Sequence, residues 1–497
     1  MVGPDFKRPE APVSASWRAR GDPRIATQTE ADSLWWRSFN DAALDYLVEI
    51  AYRQNLSLKI AGLRIVEARA RLGIATGRQF PQVQEIFASG SAVGLSQNAA
   101  NSSVLDRHFL DYQLGFDAAW ELDFWGKYRR GVEAEAATLL ATVGDYYAAI
   151  VSLTAEVART YVVIRTFEVL IAQAEANARL QQGALDIAES RFRNGATSEL
   201  DASQAKTLLE STRASIPQLR VGLQQARNAL NTLLGQPAGT YDSVLAGRRG
   251  IPTAPARVAV GVPAEMLRRR PDIRSAELLA AAQCSLIGVA KSDLYPSFSL
   301  VGSVGLQAST ARGASSNLFS PDSLFYSVGP RIDWKFLNYG RLKNAVRVED
   351  ARFQQLLVAY HDTVLRAAQE VEDALAGYLN SQQALGFEQG AVTAARRSVE
   401  IAVVQYREGT TDYQRVLDAQ RSLLQQENDL AQTNSSVATN LIALYKALGG
   451  GWELRQGQPV VSARMQREMK ERTDWGDMLS EPRTPEKKQK NLPPGRR

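Results

Sequence analysis

Residues 112–124 read YQLGFDAAWELDF. The even positions are Tyr112, Leu114, Phe116, Ala118, Trp120, Leu122 and Phe124, and the odd ones are Gln113, Gly115, Asp117, Ala119, Glu121 and Asp123. Successive side chains of a strand point to opposite faces, so the stretch predicts a strand with one apolar and one polar face. Alternation this strict is what a membrane-crossing strand needs when one face meets lipid and the other water. About nine to eleven residues suffice to cross. A half-buried soluble sheet would alternate in the same way, so the surrounding sequence has to decide.

Outward from this stretch, the chain repeats itself. Tyr112, Gly115, Trp120, Trp125 and Gly126 return 214 residues later as Tyr326, Gly329, Trp334, Tyr339 and Gly340. FPQV at Phe80–Val83 returns as YPSF at Tyr295–Phe298, RNGATS at Arg193–Ser198 as REGTTD at Arg407–Asp412, and ALNTLLG at Ala229–Gly235 as ALYKALG at Ala443–Gly449. Shared composition does not hold aromatic–glycine pairs in register, so the repeat is an internal duplication. The second copy alternates too: Tyr326, Val328, Ile332, Trp334 and Phe336 oppose Ser327, Gly329, Arg331, Asp333 and Lys335. Phe298, Leu300, Val304 and Leu306 likewise oppose Ser297, Ser299, Ser303 and Gln307. Only the segment Val83–Val93 alternates poorly.

Between these strands lie very long helical stretches. Lys127–Arg193 has 67 residues and Arg341–Glu408 has 68 without a proline. At about 1.5 Å per residue such a helix is roughly 100 Å long, whereas ordinary globular helices run about three turns. Apolar residues at three- and four-residue spacing suit helices lying side by side in a coiled-coil-like wall. Shorter helices are predicted at Leu44–Arg78, Ser198–Leu234, Ala264–Ser292 and Asp412–Leu448. The expected organisation is an N-terminal segment (1–43), a first repeat (44–235), a connector (236–263), a second repeat (264–449), and a C-terminal segment with a disordered basic tail (450–497).

Four strands do not close a barrel, because single-chain barrels start at about eight, and an open edge in lipid strands backbone hydrogen-bonding groups. Two copies would give about eight strands and too narrow a bore, while three give about twelve and an open lumen. The expected fold is therefore α+β: a trimeric β-barrel continuous with a long α-helical barrel. Trp120, Trp125, Trp334 and Tyr339 at the strand ends fit a lipid-facing aromatic girdle. Asp117, Glu121, Asp123, Arg331, Asp333 and Lys335 fall on the lumen face.

Composition narrows the function. Two histidines and one cysteine in 497 residues leave little for a His/Cys metal centre or a disulfide framework. Phosphate-cradling loops and nucleophile elbows are also missing from the sequence, which argues against an enzyme. The net charge of +5 sits wholly in residues 455–497, a polar end with the character of a solvated tail rather than a nucleic-acid site. No run of eighteen consecutive apolar residues predicts a membrane helix. Cys284, inside a helical segment, reads as a buried small apolar residue.

Several motifs then carry a resemblance: VGPDFKRPEAP at Val2–Pro12, WWRSFND at Trp35–Asp41, VPAEMLRRRPDI at Val262–Ile273, LYPSFSL at Leu294–Leu300, VLDAQRSLL at Val416–Leu424 and LYKALGGGW at Leu444–Trp452. With them the chain resembles the TolC-like outer-membrane factors, in particular the NodT lipoprotein subgroup that serves resistance–nodulation–division (RND) efflux pumps. The resemblance implies a homotrimer in outer-membrane lipid with an equatorial belt formed by the termini and the connector. Its implied partners are a periplasmic adaptor (membrane fusion) protein and an inner-membrane RND pump, with no cofactor, no catalysis and no nucleic acid. It implies a passive exit duct for drugs or other small toxic compounds. Metal-ion efflux and type I protein secretion are alternative cargoes, and a periplasmic coiled-coil tether is the alternative without a channel. Relatives carry a lipidated cysteine just before the segment matched by Val2–Pro12, a place held here by Met1. The resemblance also implies a periplasmic gate, with Asp418 at the constriction and Gln414 one turn earlier, where relatives often have leucine. Tyr406, Arg407 and Arg415 are the implied closed-state tethers, with Asp201 as a partner.

Overall fold

The computed structural model describes residues 1–10, 13–26, 33–98, 106–247, 250–261, 263–264, 269–311 and 317–479. They form two compact units, and each draws on both halves of the duplicated chain.

The first unit comprises Met1–Glu10, Ile65–Thr142 and Ser275–Tyr360. At its centre is an antiparallel sheet of β1 (Val83–Gly94), β2 (His108–Leu122), β3 (Ser297–Ser309) and β4 (Leu324–Asp333), hydrogen-bonded in that order. The β2–β3 pairing joins the two repeats, and among the described residues β1 and β4 each keep one edge unpaired. Register puts like with like. One row runs Ile86, Phe116, Val304, Tyr326 and the next runs Glu85, Asp117, Ser303, Ser327. The apolar face is bare: Ile86 is 80% exposed, Tyr326 76% and Val328 72%.

The N-terminal segment is tied to this unit. The Val2 N–H donates to Trp125 O at 2.9 Å, and the buried Arg130 guanidinium binds Asp5 at 2.6 Å and Glu133 at 2.8 Å. Cys284 is buried, as the sequence implied, its thiol 3.7 Å from Pro4 O.

The second unit, Ala11–Arg64, Val143–Arg274 and His361–Arg497, is dominated by helices. Along the whole chain the helices used below are α1 (Ala42–Gln54), α2 (Leu56–Gly77), α3 (Lys127–Arg193), α4 (Glu199–Leu233), α5 (Pro271–Ser292), α6 (Arg341–Arg407), α7 (Tyr413–Ala447) and α8 (Ala463–Arg472). Both α3 and α6 run unbroken for 67 residues. Asp41 caps α1 by accepting from Ala43 N and Leu44 N, and its other oxygen accepts from the buried Tyr161 hydroxyl at 2.8 Å. Trp35, wholly buried, stacks on Tyr445 with ring centroids 5.2 Å apart. The Tyr378 hydroxyl donates to Pro255 O. These contacts fasten parts of the N-terminal segment and the connector to the helices.

Four expectations change. The single helix expected at Leu44–Arg78 is two, divided at Asn55, which caps α1 and accepts from Leu58 N through its side chain. The helix expected from Ala264 is interrupted at Arg270: residues 263, 264 and 269 are helical, and α5 starts afresh at Pro271, with proline in its first turn where a missing N–H costs nothing; residues 265–268 lie outside the described residues. The C-terminal stretch expected to be disordered contains α8, whose first turn is capped by Ser462; residues 480–497 lie outside the described residues. Finally, α3 and α5 are long and apolar enough to cross a membrane by length and composition. Scattered polar residues hide this from a count of consecutive apolar ones, and α3 is far longer than the roughly 20 residues a crossing needs.

Candidate functional site

Two places gather the side chains singled out by sequence. The first is the polar face of the sheet. Asp117 lies between Glu85 and Ser303, and Glu121 pairs with Ser299, which pairs with Arg331. Arg331 is bridged to Asp333 at 2.8 Å. Glu121 accepts from the Tyr128 hydroxyl at 3.0 Å and meets Lys127 at 3.5 Å. Asp123 lies past the end of β2 and is committed locally: it accepts from Tyr128 N and Arg129 N and binds the Arg129 guanidinium at 2.9 Å. Lys335 lies beyond the end of β4. Sequence reading missed Glu85, because its strand carries little alternation.

At the base of the strands three indoles are anchored to carbonyls. Trp120 Nε1 donates to Gln79 O at 3.1 Å, Trp125 Nε1 to Pro296 O at 2.8 Å and Trp334 Nε1 to Leu294 O at 3.2 Å. Trp125 also stacks on Tyr295 at 4.6 Å. Tyr339, in a left-handed conformation at φ 48°, is 99% exposed. An apolar ring with its polar end tied down suits a boundary between lipid and water.

The second place is where the long hairpins turn. Gly195 and Gly409 take φ of 71° and 77°, values that a side chain rarely adopts. Beside the turns, Leu185, Leu208, Leu209, Tyr406, Tyr413, Val416 and Leu417 form one buried cluster. From it the Tyr406 hydroxyl donates to Asp201 Oδ2 at 3.0 Å, and Thr197 Oγ1 donates to the same oxygen. Arg191 donates to Tyr406 O and, at 3.2 Å, to Arg407 O, with its guanidinium 4.8 Å over the Tyr406 ring. Burial, then the bond to Asp201, pushes the Tyr406 hydroxyl up to about 12. Tyr413 packs edge-on against Tyr406 at 5.2 Å. Its own hydroxyl is buried and unpartnered, and burial raises it.

The structure brings Tyr406 and Asp201 together, and sequence reading missed Arg191. Arg191 binds backbone carbonyls, which leave no residue signature. Arg407 and Arg415, both exposed, are not joined to that pair: among the described residues neither guanidinium meets a carboxylate within the chain. The duplication does not copy the pair either, since residues 214 positions away from Tyr406 and Asp201 are Phe192 and Arg415. Gln414 Nε2 donates to Asp418 Oδ1 at 2.9 Å, and both side chains are exposed one helical turn apart. Among the described residues no group of histidine, cysteine and carboxylate side chains could hold a metal ion.

The family model described as outer membrane efflux protein matches residues 47–236 and again 262–450, one match for each repeat. The pyoverdine export outer membrane protein OpmQ of Pseudomonas putida is 31% identical over 429 residues, 86% of this chain and 90% of that protein. The cation efflux system protein CusC of Escherichia coli O6:H1 is 30% identical, covering 91% of this chain and 96% of its own length. Among solved structures, the outer-membrane channel OprN superposes with a TM-score of 0.83 at 34% identity, covering 91% of this chain and 99% of that one. These relatives are transport components, and this chain shares their α+β fold of barrel strands and long helices. The chain belongs to the outer membrane efflux protein family, and it is an outer-membrane channel of an efflux system.

Proposed function

We propose that three copies of the chain assemble into a passive exit duct through which a tripartite pump discharges small toxic compounds. The observation that carries this reading is the sheet. It has two unpaired edges, a bare apolar face and a polar face. Edge strands with unpaired backbone groups are untenable in lipid, and joining β4 of one copy to β1 of the next satisfies both. Three copies give about twelve strands and a water-filled bore.

The duct closes at the hairpin turns. Asp418 of each copy contributes to a ring of three carboxylates that favours cations, and Gln414 makes the constriction polar rather than apolar. Tyr406 and Asp201, with Arg191, hold the closed state within a copy, while the free guanidinium groups of Arg407 and Arg415 are available to neighbouring copies. The energy for transport comes from an inner-membrane RND pump, reached through a periplasmic adaptor.

Residue 2 is hydrogen-bonded at the Trp125 carbonyl, so an acyl chain attached at the N-terminal segment would start beside the aromatic girdle. Metal cations are the second reading for the cargo, favoured by the likeness to CusC.

Oligomer mass and planar-bilayer conductance of the detergent-purified protein test the proposal together. A trimer with small, cation-preferring conductance supports it. A soluble monomer or dimer without conductance overturns the duct in favour of a coiled-coil tether.

A further inference from the structure

On the polar face of the sheet one row breaks the pattern. Phe87 pairs with Gly115, Gly115 with Gly305, and Gly305 with Phe325. The next rows on that face carry Glu85, Asp117, Ser303 and Ser327 on one side, and Ser89, Gln113 and Gln307 on the other.

The two rings lean over the glycines. An ideal Cβ on Gly115 would stand 2.7 Å from Phe87 Cζ, and one on Gly305 would stand 2.9 Å from Phe325 Cε1. The glycines are needed for different reasons. A Cβ on Gly305 would also meet the neighbouring backbone, with Leu114 O at 2.5 Å and Gly115 Cα at 2.7 Å. At Gly115 the ring is the main obstacle, with Val304 O next at 3.1 Å. Both rings are half-buried, lying along the wall rather than standing away from it.

Covering a strand glycine with a cross-strand aromatic supports a sheet, but it does so equally well on the lipid face. On a wet face the uncovered part of each ring forfeits its transfer free energy. Glu85 precedes Phe87 by two residues and Asp117 follows Gly115 by two, so two carboxylates flank the rings on the same face. Ring faces beside carboxylates are the chemistry that recognises a planar aromatic cation, by stacking and by charge.

We propose that Phe87 and Phe325, seated on Gly115 and Gly305 and flanked by Glu85 and Asp117, form a contact strip on the lumen wall for cargo bearing a planar aromatic cation. This rests on the duct reading, under which three copies place six rings around the bore.

The test uses the full chain in lipid nanodiscs and a water-soluble planar aromatic quaternary ammonium ion carrying an aryl azide. After irradiation, labelled peptides are mapped by mass spectrometry. Labelling should centre on Val83–Gly94, His108–Leu122 and Leu324–Asp333, and the double variant Phe87→Ser, Phe325→Ser should lower it about two- to tenfold, the range for losing an aromatic contact. Glu85→Gln with Asp117→Asn keeps the shape of the wall, and should lower labelling by the cation but not by a neutral probe of the same outline. Gly115→Ala should displace the Phe87 ring and weaken labelling of Val83–Gly94, with Phe325 left in place. Wild-type labelling no stronger there than on the lipid face, or labelling equal in all variants, overturns the strip. Conductance of the same preparation separates the failures: a conducting trimer without strip labelling sinks the strip alone, and a preparation without conductance sinks the duct with it.

Discussion

The Tyr406 hydroxyl and the Asp201 carboxylate, 205 residues apart in sequence, are joined by a 3.0 Å hydrogen bond. Tyr406 is 2% exposed and Asp201 is half-buried, so the bond is partly shielded from competing water. A hydrogen bond to a charged group contributes about 1.5–3 kcal/mol. If it is made only when the turns are closed, Tyr406→Phe should raise the ratio of open to closed channels by at least about tenfold. Single-channel recording checks this, and an unchanged open probability removes Tyr406 from the gate.

The same hydroxyl predicts an alkaline response. Its folded-state value of about 12 lies above the ordinary tyrosine value of about 10, so the neutral form is favoured in the fold. The stabilisation is complete below about pH 10 and is lost as pH rises through about 12. Tyr161 and Tyr378 are also pushed up to about 12, chiefly by burial, so the wild-type transition is a composite. Stability measured from pH 9 to 12 should fall less steeply in Tyr406→Phe than in the wild type, and identical slopes contradict the assignment.

What the sequence revealed, and what it concealed, follows from how much contrast each element carries. The strand at 112–122 was legible because Tyr112, Phe116 and Trp120 share an apolar face while Gln113, Asp117 and Glu121 lie on the opposite one. β1 was not, because its residues on the apolar face are Ile86, Ala88, Gly90 and Ala92 while Phe87 and Val93 fall on the polar face. The long helices were legible to within a residue, since nothing inside them stops a helix. α8 was hidden by charge: ARMQREMKER shows little apolar face, and only Ser462 marks its start. At the turns, motif position pointed to Tyr406, Asp201, Gln414 and Asp418. It gave no sign that Arg191 reaches two backbone carbonyls, or that Arg407 and Arg415 meet no carboxylate among the described residues.

Asp41 offers a stability test remote from both sites. It caps α1 through one oxygen and accepts from the buried Tyr161 hydroxyl through the other. Removing a cap costs about 0.5–2 kcal/mol, and stranding a buried hydroxyl costs about 1–3 kcal/mol. Asp41→Ala should therefore destabilise the helical unit by about 2–4 kcal/mol, seen as a lower midpoint in helix-monitored thermal unfolding. Asp41→Asn, which keeps an acceptor for the cap, should lose less. Equal losses in the two variants place the effect elsewhere.

Asp418 supplies the sharpest test of the gate, because its charge and its size can be varied separately. Three carboxylates brought together repel one another, and the repulsion is relieved by bound cations. Gln414 donates to one oxygen of Asp418, which leaves the other free to meet ions. Asp418→Asn keeps the volume and an acceptor for Gln414, so it should abolish cation preference while changing conductance little. Asp418→Ala removes both charge and bulk, so conductance should rise as preference falls. Reversal potentials under a salt gradient report the preference, and step sizes report the bore. If both variants keep the wild-type reversal potential and step size, the constriction lies at another level of the helices.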